Sequence, residues 1–393
     1  MKKDKLMVDQ FVSNRLEGIG EYYFSHKLRA IEQLRQAGAD IINLGIGSPD
    51  MAPPDVVKEV LSRSLEQPDF HRYQSYKGIP ELRIAFADWY QKQYGVTLDP
   101  QSQILPLIGS KEGIMHISMA FINSGDHVLI PNPGYPTYTS VTKLSGGIPI
   151  YYDLKEENDF WPDFEKLNES DLSKVKLMWV NYPHMPTGAP ASPRLFNELI
   201  RFCRSNDIIL VNDNPYSFTL TDQPRSILNE SSSGDLVLEL NSLSKSHNMS
   251  GWRIGAVCGN EKLIEYVLTF KSNMDSGMFK PVMNAAIAAL NVQKDWYDSL
   301  NDHYAKRKEI VLEIIDLLGC TTREDQAGMF VWVKIPEGFD SGEAYADHLL
   351  ETYEFFVPPG MIFGSQGHHY IRFSLCSSAQ QLNKVLDRIK SKK

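Results

Sequence analysis

No stretch of the 393 residues is apolar for long enough to span a bilayer, and the amino terminus, MKKDK, has no apolar signal-peptide core. Cysteine is scarce. Cys203, Cys258, Cys320 and Cys376 lie far apart without paired spacing, which excludes a disulfide scaffold or a Cys-based zinc site and fits free thiols in a reducing compartment. Positive charge is short too, with 40 Lys and Arg against 49 Asp and Glu, and no basic stripe follows the MKKDK start. That argues against nucleic acid as a partner and leaves room only for small anions at local sites. Neither a G-x-G-x-x-G fingerprint nor a P-loop occurs. The sequence therefore describes a cytoplasmic protein with no membrane and no nucleic-acid partner.

What is present is a chain that is 42% hydrophobic and 23% charged, long enough for two or three domains each with its own core. Phe24, Leu28, Ile31 and Leu34 predict an amphipathic helix ending near Gly38. Five apolar runs then follow, beginning at Ile41, Ile104, His127, Val175 and Ile208. Each breaks into a loop of Gly, Pro, Ser, Asn or Asp, and helical patterns lie between them. Such alternation predicts a mostly parallel sheet wound with helices, with ligands outside the carboxyl ends of its strands. Beyond about residue 280 the pattern changes to a long helix from Asp302 to Leu318, a strand Phe330–Lys334, a helix from Ser341 and a last strand Tyr370–Ser374.

The chemistry concentrates in the strand exits. Leu236 to Leu240 alternate into Asn241-Ser242-Leu243-Ser244-Lys245, and Arg253 follows eight residues later. A lysine among small polar residues can condense with an aldehyde, while serines and an arginine can hold a phosphate, so together they outline a phosphorylated aldehyde. The same composition also suits an ordinary surface turn. Gly109-Ser110-Lys111 opens a helix directly after a strand, which gathers free N–H groups and the positive helix end at one point. Gly45-Ile46-Gly47 is a glycine-rich exit that could cradle a ligand, and Tyr135 stands on a rigid proline frame suited to stacking. Asp213 ends an apolar run and so requires a cation or a donor, and Arg372 interrupts another.

Taken together, these motifs resemble the class I and II aminotransferases, which are pyridoxal 5'-phosphate enzymes of fold type I, over essentially the whole chain. The resemblance rests on Ser242-Leu243-Ser244-Lys245 ending in Gly251-Trp252-Arg253-Ile254-Gly255, and on Asp213-Asn214-Pro215-Tyr216. It implies an α/β fold with a mostly parallel seven-stranded sheet, helices on both faces, and a smaller α+β domain built from both chain ends. The implied divisions are 1–45, 46–280 and 281–393. By the same match Lys245 is the Schiff-base lysine, and Ser242, Arg253, Ser110 and Lys111 bind the phosphate. Asp213 pairs with the pyridine nitrogen, Tyr216 with the phenolic oxygen, and Tyr135 stacks on the ring. Tyr73 is lent to the other subunit of a homodimer with shared sites, while Arg372 and Gly47 meet the substrate.

One departure stands out. His184-Met185-Pro186-Thr187-Gly188 occurs where the family has Asn-Asn-Pro-Thr-Gly, and methionine cannot donate to the phenolic oxygen. The expectation is that His184, or a donor from elsewhere, compensates. Tyr73 to Arg83 and Lys271 to Gly277 look most like bacterial LL-diaminopimelate aminotransferases. No arginine occurs from Tyr266 to Phe270, where aspartate aminotransferases carry a second carboxylate binder. The resemblance thus implies ping-pong transfer between an amino acid with a polar far end and 2-oxoglutarate. A C–S lyase acting on cysteine conjugates shares the fold and the lysine. A non-catalytic cofactor-binding regulator is the other alternative, although no DNA-binding segment is appended.

Overall fold

A computed structural model describes residues 10–19 and 23–392, with side chains from residue 27 in the second span. The MKKDK start and the side chain of Phe24 lie outside the described residues. Twelve strands occur among the described residues: β1 (Ile42–Asn43), β2 (Ile104–Leu107), β3 (His127–Asn132), β4 (Ile148–Asp153), β5 (Val175–Val180), β6 (Ile209–Asp213), β7 (Val237–Ser242), β8 (Gly255–Gly259), β9 (Thr321–Thr322), β10 (Phe330–Lys334), β11 (Phe355–Phe356) and β12 (Tyr370–Ser374). Seven form one sheet in the order β2-β8-β7-β6-β5-β3-β4. All its pairings are parallel except those of β8, which runs antiparallel to β2 and β7.

β7 is buried along its whole length, and β5 everywhere but at Lys176, because both faces of the sheet are covered. In β7, Leu238 and Leu240 enter one core, whereas Val237 joins the core on the other face. Glu239 shares that second face as a fully buried carboxylate. It accepts from Tyr90, Ser226, Asn212 and the Ile227 N–H, so its burial is compensated. Helix Pro80–Tyr94 begins on a proline and closes at Gly95, whose φ of 73° is the left-handed stop that glycine adopts without strain.

The run from Ile41 does not belong to the large sheet. Ile42 and Asn43 pair with Phe355 and Phe356 in a separate two-stranded sheet, and Ser374 N–H donates to Leu44 O at 2.8 Å. The two ends of the chain are therefore stitched together. β9, β10 and β12 form an antiparallel sheet beside the helix Lys294–Leu317, which starts eight residues before the predicted Asp302 and packs on Ala379–Ser391. The first helix spans Tyr23–Gln36 and buries Ile31, but Leu34 is exposed. No helix among the described residues is long and apolar enough to cross a membrane.

Candidate active site

The parallel strands β3, β5, β6 and β7 end on one side of the sheet, and the chain leaving them lines a cavity of about 550 Å³. Ten of the eleven residues singled out from the sequence line it: Gly47, Ser110, Lys111, Tyr135, Asp213, Tyr216, Ser242, Lys245, Arg253 and Arg372. Tyr73 does not. It stands 90% exposed on a loop away from the cavity of its own chain.

Asp213 closes β6 and is buried. Its Oδ2 accepts from Tyr138 Oη at 3.0 Å, and its Oδ1 has no partner. Burial pushes its pKa up to about 7, opposed by the Tyr138 hydrogen bond. The partner that sequence required is thus a neutral hydroxyl, which leaves half the carboxylate open to the cavity. Tyr138 carries no site signal of its own in the sequence, yet its place three residues after Tyr135 on a helix opened by Pro136 puts both rings on one face. The rings of Tyr135 and Tyr138 meet edge to face at 5.6 Å, and Tyr138 stacks on Trp179 at 5.1 Å.

Opposite lies an anion cradle. Helix Ser110–Phe121 starts after Gly109, which supplies no side-chain cap, so its first N–H groups face the cavity end with the positive helix dipole behind them. Gly109 has φ +91°, and a Cβ there would lie 2.2 Å from Arg253 Nη2, so only glycine lets the guanidinium cross the helix start. Arg253 itself adopts φ 56° and is tied through Nη1 to Ser250 O at 2.9 Å. Ser242 Oγ accepts from Ser244 N–H at 3.2 Å and lies 2.9 Å from Ser244 Oγ, which sets two hydroxyls side by side.

Lys245 lies between these poles and donates from Nζ to Gly47 O. Burial lowers its pKa, the Arg372 and Arg253 charges lower it further, and Cys376 opposes them. Gly47 permits this approach because a Cβ would meet the Phe330 ring at 2.6 Å. Arg372 is sandwiched between Phe330 at 3.9 Å and Phe363 at 4.6 Å. It donates from Nη2 to Gly45 O at 3.0 Å, its Nε is buried without a partner, and burial lowers its pKa to about 10. Phe363 comes from a turn whose sequence carried no signal for a site.

Met185 lines the same cavity with its Sδ 3.3 Å from Arg372 Nη1. His184, expected as a replacement donor, turns away. It is buried outside the cavity lining, with Nδ1 2.8 Å from Thr187 Oγ1, and desolvation lowers its pKa to about 3. The polar group that does reach the cavity is Asn181. It donates to the Asp213 carbonyl and accepts from Met185 N–H at 2.8 Å, joining the ends of β5 and β6.

Comparison with known proteins gives this geometry its context. The family model described as aminotransferase class I and II matches residues 39–389. The LL-diaminopimelate aminotransferase of Aquifex aeolicus is 38% identical over 383 residues, covering 97% of this chain and 99% of the relative. That of Nitratidesulfovibrio vulgaris is 37% identical over 386 residues, covering 98% and 99%. Among solved structures, substrate-bound BacF of Bacillus subtilis superposes with a TM-score of 0.91 at 34% identity over 97% of both chains. The aspartate aminotransferase of Thermus thermophilus with maleate gives 0.89 at 26%, over 97% and 99%.

Proposed function

The chain belongs to the class I and II aminotransferase family, and on that premise we propose that it moves an amino group from LL-diaminopimelate, or another amino acid with a polar far end, to 2-oxoglutarate. As a member of that family it is a pyridoxal phosphate enzyme acting on amino acids and 2-oxo acids. The donor assignment is supported by relatives named LL-diaminopimelate aminotransferase at 37–38% identity. Transfer runs in two alternating halves, in which one substrate leaves before the other binds.

The residues present fit the cofactor. A buried, unpartnered carboxylate oxygen on Asp213 suits a protonated ring nitrogen, and a helix start crossed by an arginine suits a phosphate. When bound, pyridoxal phosphate supplies the electron sink that makes an amino acid's α-proton acidic. The protein's part is to hold and to move protons. Asp213 keeps the ring nitrogen protonated, Tyr216 donates to the phenolic oxygen, and Tyr135 covers the ring face. Ser110, Lys111, Ser242 and Arg253 secure the phosphate. Lys245 would hold the cofactor through its Nζ, and as a free amine it would carry the substrate's α-proton, a task its lowered pKa favours. Arg372, with a free buried Nε, and the Gly47 backbone fix the substrate carboxylate.

Tyr73 completes the phosphate site of a second copy, so the enzyme is a homodimer with shared sites. We keep the division into 1–45, 46–280 and 281–393, supported by the pairing of β1 with β11. Four free, buried cysteines suit a reducing compartment and hence the cytoplasm.

The observation that carries this reading is the convergence of Lys245, Asp213 and Arg253 on one cavity. Its test is incubation of the holoenzyme with LL-diaminopimelate and 2-oxoglutarate, with glutamate measured by chromatography. One glutamate per diaminopimelate consumed is expected, with no turnover by Lys245→Ala. Release of pyruvate and thiol from a cysteine thioether, with no glutamate from any donor, would overturn it.

A further inference from the structure

Lys271 ends the helix Glu261–Lys271 and is fully buried. A lysine is almost never found so deep unless it is paired. Its Nζ donates to Asp275 Oδ2, and to Tyr76 O at 3.3 Å. Arg83, also buried, reaches the next two carbonyls, with Nη1 donating to Lys77 O at 3.2 Å and to Gly78 O at 3.0 Å. Two buried cations therefore hold three consecutive carbonyls of one surface loop from beneath. From the side, Gly277 (φ +88°) packs so closely that a Cβ would meet Gln74 O at 2.4 Å.

Such anchoring is out of proportion to what a solvent-facing turn needs. What it fixes is a lip whose side chains point outward: Tyr73, Tyr76, Met274 and Phe279 are all exposed. Exposed aromatic residues on a rigid support are built to be used by another molecule. The cavity of the same chain does not include them.

We infer that Lys271, paired with Asp275 and aided by Arg83, is a positioning residue for catalysis in the partner subunit, holding the loop that brings Tyr73 into the second copy's cavity. This rests on the proposed shared-site dimer. Lys271 has no contact with its own chain's cavity, so its loss damages the neighbouring site and spares its own.

The test is subunit complementation. Lys271→Met homodimers are expected to lose activity on the order of 10- to 100-fold, since small misplacements cost that much, and to bind pyridoxal phosphate more weakly by equilibrium ultrafiltration. Lys245→Ala homodimers are inactive. Co-expressed with distinct tags and purified as hybrids, the pair has one intact site, made of the Lys271→Met cavity and the Lys245→Ala lip. It should recover about half of wild-type activity under two-fold symmetry. A hybrid of Tyr73→Ala with Lys245→Ala is the control. If that control recovers activity and the Lys271→Met hybrid does not, the inference falls while the dimer stands. If neither recovers, the shared-site reading itself falls. Wild-type activity in Lys271→Met homodimers also overturns the inference. Should Lys271→Met fail to fold, Asp275→Asn, which withdraws the carboxylate charge that keeps Lys271 against Tyr76 O, takes its place with the same expectations.

Discussion

Tyr138 Oη donates to Asp213 Oδ2 at 3.0 Å, while Asp213 Oδ1, equally buried, has no partner. The carboxyl is thus half-answered, and burial raises its pKa from 3.8 to about 7. Because the folded state holds this proton more tightly than the unfolded chain, the stabilisation is complete below about pH 4 and is lost as pH rises through about 7. In cofactor-free protein, the stability of wild type relative to Asp213→Asn should fall over that window by on the order of 4 kcal/mol. Urea unfolding across the window measures it. A flat difference would mean that Asp213 ionises like an exposed carboxylate, and saturating cofactor should remove the slope.

Gly109→Ala puts a Cβ 2.2 Å from Arg253 Nη2 at a φ of +91°. The guanidinium must then leave the helix start. Affinity for pyridoxal phosphate should drop by about 10-fold, the value of one charge-assisted contact, with little change in substrate KM at saturating cofactor. Equilibrium ultrafiltration reads this directly, and unchanged affinity would remove Arg253 from the phosphate site.

Met185→Asn restores an amide where a thioether now faces Arg372. A donor to the cofactor's phenolic oxygen favours its ionised form, so the midpoint of the pH titration of the cofactor's absorbance should move down. Replacing a buried methionine by a smaller polar residue should also cost about 1–3 kcal/mol in stability. An unmoved midpoint would show that the oxygen does not lack a donor.

Arg372→Lys keeps a positive charge but cannot use two nitrogens at once, nor stack as a plane between Phe330 and Phe363. KM for both amino acid and oxo acid should rise by about 100-fold, while borohydride still fixes the cofactor to Lys245. If KM holds, the substrate carboxylate is bound elsewhere.

The strands Val175–Val180, Phe330–Lys334 and Tyr370–Ser374 were legible to the residue, because β-branched and aromatic residues recur along those short runs. β4 escaped notice since Pro149 and its exposed residues read as loop, which an edge strand tolerates. β8 was hidden by glycine at both ends. Ile42–Asn43 looked like the first strand of the large sheet because partner choice is a long-range property that no local run encodes. Within the cavity, residues whose chemistry is in their own side chain could be found, such as Lys245 and Asp213. Those that matter through a neighbour could not: Tyr138 through Asp213, Asn181 through Met185, and Phe363 through Arg372.

Ser242 lies opposite Gly255 where β7 and β8 pair, so the segment carrying Lys245 and Arg253 leaves and re-enters the sheet at adjacent points. Its length is thereby fixed at both ends by register. One residue added or lost inside it must be absorbed within the excursion that carries Lys245 and Arg253, or else shift the β7–β8 register and turn β8 face for face. Elsewhere the chain has slack, as in the exposed stretch from Ser232 to Gly234 just ahead of β7. Insertions there cost little, whereas a change of length within the short excursion bears directly on where Lys245 and Arg253 stand.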